Sequence, residues 1–217
     1  NVDTIVATND NWGGTAELAA AAVRLGAFPL DPASLDAAFY MELESRAYTS
    51  HVNATAGTGV AIAEVYDGSS SATAATPRLI NISGRAEVST GDNVLIAGFV
   101  VVGEGPKTVL IRGLGPALSA LGVEGSLATP KLELHARVAG SDQVLAGNLA
   151  WGGAPELGDG GQQVGATPTL ETTPDSKDTV LLVPLLPGVY TAVISGANAT
   201  TGVALVEVYE VERGGRS

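Results

Sequence analysis

One part of this chain occurs twice, and the stretch between its two copies occurs only once. Residues 3–18 (DTIVATNDNWGGTAEL) return as 142–157 (DQVLAGNLAWGGAPEL) at a constant offset of 139, which sets Trp12 on Trp151 and Gly13-Gly14 on Gly152-Gly153. The correspondence runs on through Arg24–Pro29 over Gln163–Pro168, Tyr48-Thr49 over Tyr190-Thr191, and Thr58–Tyr66 (TGVAIAEVY) over Thr201–Tyr209 (TGVALVEVY), where small insertions have raised the offset to 143. The intervening segment, about Pro77 to Ala139, has no second copy. The chain therefore reads as half B, half A, half B, with a half A for one half B only.

A repeat unit buries its apolar faces against its proper neighbour. A half-module of about 67 residues standing alone buries little of its surface and leaves strands open to pairing with another chain. Three fates are open to the N-terminal copy: a different fold within this chain, loss of its mate from a longer array, or capture of the half A of a neighbouring molecule. The expected organisation is residues 1–67 as the unmatched half B, 68–76 (GSSSATAAT) as a flexible linker, 77–211 as a complete module, and 212–217 as a tail. Within the module, half A covers 77–139 and half B covers 140–211.

The 217 residues suffice for one large or two small domains. Hydrophobic residues make up 45% of the chain, so it can fold, while aromatics at 5% leave Ala, Val and Leu to build the core. Eleven Lys and Arg stand against 23 Asp and Glu, a formal charge of −12. That balance excludes a nucleic-acid backbone partner and disfavours anionic membrane surfaces. With no cysteine, neither disulfides nor thiolate metal sites contribute. The longest apolar runs, Val94–Val102 and Val180–Leu186, fall far short of the roughly 20 residues of a membrane-spanning helix, so membrane insertion is not expected. Low charge, abundant Gly, Thr and Ala and an acidic balance are commonly associated with bacterial cell-surface and secreted β-proteins. Asn1 opens the chain without a leader pattern, as expected of a mature or excised segment.

Short segments rich in Val, Ile and Leu, separated by Gly, Pro, Asn or Asp, predict strands at Arg78–Val88, Asn93–Val102, Thr108–Gly113 and Lys131–Val138 of half A. In half B they fall at Gln143–Gly147 (with its counterpart Thr4–Thr8), Thr179–Leu186, Val189–Ser195 and Val203–Val211. Seven or eight strands with turns every ten or so residues predict an all-β fold, an antiparallel β-sandwich of immunoglobulin-like or jelly-roll-like type. One or two short helices accompany it. Thr15–Leu25 is the best of them, with Thr15 placed as N-cap and Gly26 as stop, and Gly115–Gly122 should make one or two turns. The counterpart of the first, Ala154–Val164, carries Gly158, Gly160 and Gly161 and is predicted to be a poor helix.

Gly91-Asp-Asn-Val-Leu-Ile-Ala-Gly-Phe99, then Gly105-Pro-Lys-Thr-Val-Leu-Ile-Arg-Gly-Leu-Gly-Pro-Ala-Leu118, together with Asn9-Asp-Asn-Trp12 and Thr201–Tyr209, resemble a tandem β-repeat of very large secreted bacterial proteins. The resemblance covers nearly the whole chain. It implies an extracellular or cell-surface, structural or adhesive role, and it lends no catalytic residues. Gly147-Asn-Leu-Ala-Trp151 departs from the pattern by lacking the Asp that Asn9-Asp-Asn-Trp12 carries.

Candidate chemistry is thin. Gly103–Thr108 superficially resembles a phosphate loop, but Pro106 separates Gly from Lys and a strand follows where a helix is needed, so a hairpin turn is expected. Gly113-Leu-Gly115-Pro116 makes no dinucleotide fingerprint. His51 and His135 sit in no ligand pattern, and no GxSxG elbow selects a serine. No cofactor is expected and no enzyme. Asp10 and Asp159 lie in oxygen-rich loops suited to Ca²⁺, against a commoner turn-forming role. Trp12 and Trp151, with Asp10, are candidate ligand or packing anchors; their repetition beside Gly-Gly favours packing over sugar stacking. Asn53, Asn81 and Asn198 head glycosylation triplets.

The expected function is a structural subunit of an extracellular filament or surface array, assembling head-to-tail with itself through residues 1–67 and strand pairing. Because each half A already has a half B, the neighbour must offer a second A face or exchange its own half B. The alternative is a carbohydrate- or cell-surface-binding module of a large adhesin.

Overall fold

The computed structural model describes residues 4–69, 76–138, 140–170 and 173–211. The chain divides into two compact units, Asn1–Leu79 and Ile80–Ser217. Most of the predicted linker at 68–76 and the tail at 212–217 lie outside the described residues.

The second unit is an all-β sandwich. Its strands are β1 (Asn81–Val88), β2 (Leu95–Val101), β3 (Lys107–Leu114), β4 (Pro130–Val138), β5 (Ser141–Asn148), β6 (Thr179–Leu185), β7 (Gly188–Gly196) and β8 (Gly202–Val211). They form two antiparallel four-stranded sheets, ordered β1-β8-β3-β6 and β2-β7-β4-β5. This is jelly-roll order. Gly103–Thr108 is no hairpin turn, because it joins β2 and β3, which lie in different sheets.

The order has a consequence for the two halves. Half A supplies β1 to β4 and half B supplies β5 to β8, and the two alternate in each sheet. All six ladders, β1 with β8, β2 with β7, β3 with β6 and β8, and β4 with β5 and β7, join a strand of one half to a strand of the other. Among the described residues no two strands of half B pair with each other. Main-chain N–H and C=O groups of a strand need a partner strand or water. Half B therefore obtains its sheet only from half A.

The core lies between the sheets, with Ile111, Leu132, Leu134, Ile194, Ala204 and Val206 at its centre. Each Val, Leu or Ile buried this way contributes about 1.5–3 kcal/mol. A second apolar layer covers the outer face of β3, β6 and β8, where Leu110, Leu114, Leu118, Trp151, Val180 and Tyr209 pack together. This explains the run Val-Leu-Ile-Arg-Gly-Leu in β3, a strand buried on both faces from Val109 to Leu114.

That outer layer also corrects the expectation of a poor helix at 154–164. Alongside α1 (Ala16–Leu25) and α2 (Pro116–Ala120), the residues Pro155–Gln163 form α3. Gly158 and Gly160 are buried in it, and a Cβ on Gly160 would already touch Leu182 and Leu110, at 3.5 and 3.6 Å. Packing of the glycine face onto the sheet overrides low intrinsic propensity.

The first unit holds α1, capped by Gly26 in the left-handed conformation, and no strand among its described residues. Thr4–Thr8, predicted as a strand, is not one. Nor is Thr58–Tyr66, the copy of β8. In the module their counterparts, β5 and β8, pair only with strands of half A among the described residues.

Candidate functional site

The two copies of half B agree in the hydrogen bonds of the Trp-Gly-Gly turn and of the helix that follows it. The Trp12 main-chain N–H donates to the Asp36 carbonyl and its indole N–H to the Asp31 carbonyl, at 2.8 and 3.1 Å. Trp151 donates likewise to Asp178 and Thr173, at 2.8 and 3.1 Å. Both indoles are buried, 5% and 4% exposed. They pack as anchors and have no free face for a sugar. The glycines after each Trp all have positive φ, between 62° and 72°, so the same tight turn is built twice. Past each helix, Ala27 N–H reaches Ala22 O and Ala166 N–H reaches Gly161 O, at 3.0 and 2.9 Å.

The copies differ wherever half A is needed. Val208 is 7% exposed and Ile194 is at 0%, whereas their counterparts Val65 and Val52 stand at 54% and 59%. Val60, Ile62 and Leu43 are exposed as well. The N-terminal half B thus exposes apolar residues whose counterparts in the module are buried in the inter-sheet core (Leu185, Ile194 and Val208) or partly buried in the outer layer (Val203 and Leu205).

Two polar contacts across the A–B boundary mark the junction. In the first, Asp178 is fully buried at the start of α2. Its carboxylate accepts from the Gly115 N–H at 2.7 Å and the Ala117 N–H at 3.1 Å, and from the Ser176 hydroxyl. A carboxylate there satisfies helix-terminal donors and suits the positive end of the helix. Asp178→Ala should cost about 1–3 kcal/mol through the stranded donors. Urea unfolding measures it, and a loss below a few tenths of a kcal/mol would contradict the assignment. The equivalent residue of the first copy, Asp36, is exposed.

The second contact is buried and ionic. Arg112 of β3 and Glu207 of β8 are 2% and 6% exposed, with Nε and Oε2 at 2.9 Å. The Arg112 guanidinium donates to the carbonyls of Pro168 and Thr167 at 3.1 and 3.0 Å. The Tyr209 hydroxyl donates to Glu207 Oε1 at 2.8 Å. Burial raises the Glu207 carboxyl above its usual 4.5, and the Arg112 charge offsets only part of the rise. Tyr209 is raised too, by burial and then by the Glu207 charge.

A carboxyl raised by folding binds more protons folded than unfolded. Its stabilising contribution is complete below pH 4.5 and is lost as the pH rises through the folded value. Urea unfolding of the wild type and Glu207→Gln from about pH 4 to pH 7 should show the wild type losing ground to the variant as pH rises. A gap that stays level or moves the other way would contradict the burial-driven shift.

The first copy repeats the acceptors around the arginine without the arginine itself. Glu64 and Tyr66 stand where Glu207 and Tyr209 do, and the Tyr66 hydroxyl donates to Glu64 Oε1 at 3.2 Å in an exposed setting. Partial burial, then the Glu64 charge, holds the Tyr66 phenol above its ordinary value. Phe28 and Pro29 occupy the places of Thr167 and Pro168.

The remaining sequence candidates fall apart from this junction. Asp10 is exposed, and its neighbours Asn9 and Asn11 serve the turn: Asn11 Oδ1 accepts from the Gly13 N–H at 2.7 Å and Asn9 Oδ1 from the Ala38 N–H at 3.1 Å. Asp159 lies exposed on α3. Among the described residues no three His, Cys, Asp or Glu side chains gather into a metal-binding group. His135 pairs with Asp142 across the β4–β5 ladder at 2.8 Å, and His51 is exposed. Asn53 and Asn198 are exposed, Asn198 at a turn with φ of 53°. Asn81 lies in β1, opposite Tyr209 in the ladder with β8. Sequence reading had passed over Arg112, Glu207, Tyr209 and Asp178. The available signal was a charge set inside an apolar run in each of two strands, Arg112 after Val-Leu-Ile and Glu207 between valines, with Glu-Val-Tyr present in both copies of half B.

No family model matches the chain, and no curated protein matches it. Among solved structures it is similar to the pre-peptidase C-terminal domain of a collagenase from Bacillus anthracis. The identity is 14% and the TM-score 0.37, over 59% of this chain and 89% of that one. No helix among the described residues is long and apolar enough to cross a membrane.

Proposed function

We propose that this chain is a non-catalytic structural segment of a repetitive bacterial filament or surface array outside the cell, joined to its neighbour through the N-terminal half B. The observation that carries the reading is the interleaving. All ladders of the sandwich run between half A and half B, and residues 4–69 contain a half B whose strands are unmade and whose apolar residues are exposed. Completing that half with a half A from elsewhere makes a second sandwich. The joint is heterologous, so it extends an assembly in one direction. The low-charge, acidic, Gly-rich composition and the resemblance to secreted tandem repeats support the location.

Interleaving also constrains the neighbour. Strands β3 and β4 are paired on both sides already and β1 and β2 keep only their outer edges, so the module cannot take a second half B in the interleaved way. With one half A and two half B segments per chain, joining to a second copy requires that copy to release its own C-terminal half B. The array is built most simply where the neighbour carries a half A without its half B. A polypeptide made of residues 77–211 followed by a second 77–139 supplies one. Mixed with the full chain, it should form a 1:1 end-to-end rod in sedimentation and electron microscopy. The rod should be absent when residues 1–67 are deleted. Failure of the two to associate would sink the reading.

A further inference from the structure

We infer that the N-terminal half B is a receptor for one chemical pattern: a half-A strand that ends in arginine and runs into a helix start, as Arg112-Gly-Leu-Gly-Pro-Ala117 does. The inference rests on the joining role proposed above and names what is read at the joint. In the complete module that hexapeptide meets half B at three polar points, one of them the Thr179 hydroxyl, which donates to the Gly113 carbonyl at 3.0 Å and whose place Ala37 takes in the first copy. Arg112 meets the Glu207 carboxylate and the carbonyls of Thr167 and Pro168, and the N–H groups of Gly115 and Ala117 meet the Asp178 carboxylate. Glu64, Phe28, Pro29 and Asp36 hold the same positions in the first copy. Glu64 is already oriented by the Tyr66 hydroxyl, as Glu207 is by Tyr209.

The pattern is more selective than apolar pairing. Burying Glu64 beneath a half A that lacks the arginine would leave an uncompensated carboxylate, a strong penalty against wrong strands. Arginine is favoured over lysine because its planar fork serves the carboxylate and two carbonyls at once. The occupant is therefore an A-type half-module bearing this arginine and lacking its own half B.

Binding of the full chain to a polypeptide of residues 77–139, diluted from urea, tests this. Calorimetry gives the affinity, and hydrogen exchange shows which half B is occupied. Association with new protection at 58–66 is expected. Glu64→Gln in the full chain should weaken it at least tenfold, and so should Arg112→Met in the probe. The two changes together should cost less than the sum of their separate effects. Glu64 is exposed in the free chain, so its replacement leaves the fold intact. Binding that ignores both substitutions would overturn the arginine pattern and leave the joint standing. Absence of binding, or protection changes confined to 202–211, would overturn both.

Discussion

Arg112→Ala is expected to destabilise the module by about 3–5 kcal/mol, because it leaves the Glu207 carboxylate buried with its charge unpaired. The guanidinium has 2% exposure and also closes two carbonyls of the segment after α3, so water has no easy route to replace it. The size of the loss should reflect the stranded carboxylate rather than the worth of the pair. Accordingly, the double change Arg112→Met with Glu207→Leu should recover most of the stability, since apolar replacements of a buried pair are often neutral. Equilibrium urea unfolding of the three proteins settles both points. A single-variant loss below about 1 kcal/mol, the scale of an exposed pair, would mean that Glu207 is solvated in the folded chain.

Trp151→Ala should cost a similar amount, about 3–5 kcal/mol, for a different reason. The indole packs into the outer apolar layer with Leu110, Leu170 and Val180, and its N–H holds the Thr173 carbonyl. Truncation opens a cavity between α3 and the sheet and strands one acceptor. Thermal unfolding of the variant measures the loss. A fall in stability of less than 1 kcal/mol, or recovered glycan binding by the wild type alone, would return Trp151 to the role of a ligand platform.

Much of the sandwich was legible because its strands are short and apolar and are separated by turn residues. All eight strands of residues 81–211 were anticipated to within three residues at either end, and Gly115-Pro116 marked the start of α2. The repeat was equally plain, since Trp-Gly-Gly and Gly-Val-Ala-x-x-Glu-Val-Tyr are long enough to align by eye.

Three things were not legible. Strand order is a non-local property, so nothing in the sequence announced that β8 would lie between β1 and β3. The interleaving of the halves, and the emptiness of Thr4–Thr8 and Thr58–Tyr66, follow from that order alone. The helix at Pro155–Gln163 was misjudged because propensity was weighed without the Leu110 and Leu182 surface that its glycines approach. The polar junction was hidden for a related reason. Arg112, Glu207 and Asp178 are far apart along the chain and read singly as ordinary surface charges until the fold buries them together.

Hydrogen exchange of the unmodified full chain compares two nearly identical sequences in one molecule and is the most direct test of interleaving. Amides of Gly202–Val211 should be strongly protected by their ladders with β1 and β3, while those of Thr58–Tyr66 should exchange at close to the rate of an unstructured peptide. Slow exchange at both would show that half B builds its strands without half A, and the joining role of the N-terminal half would lose its basis.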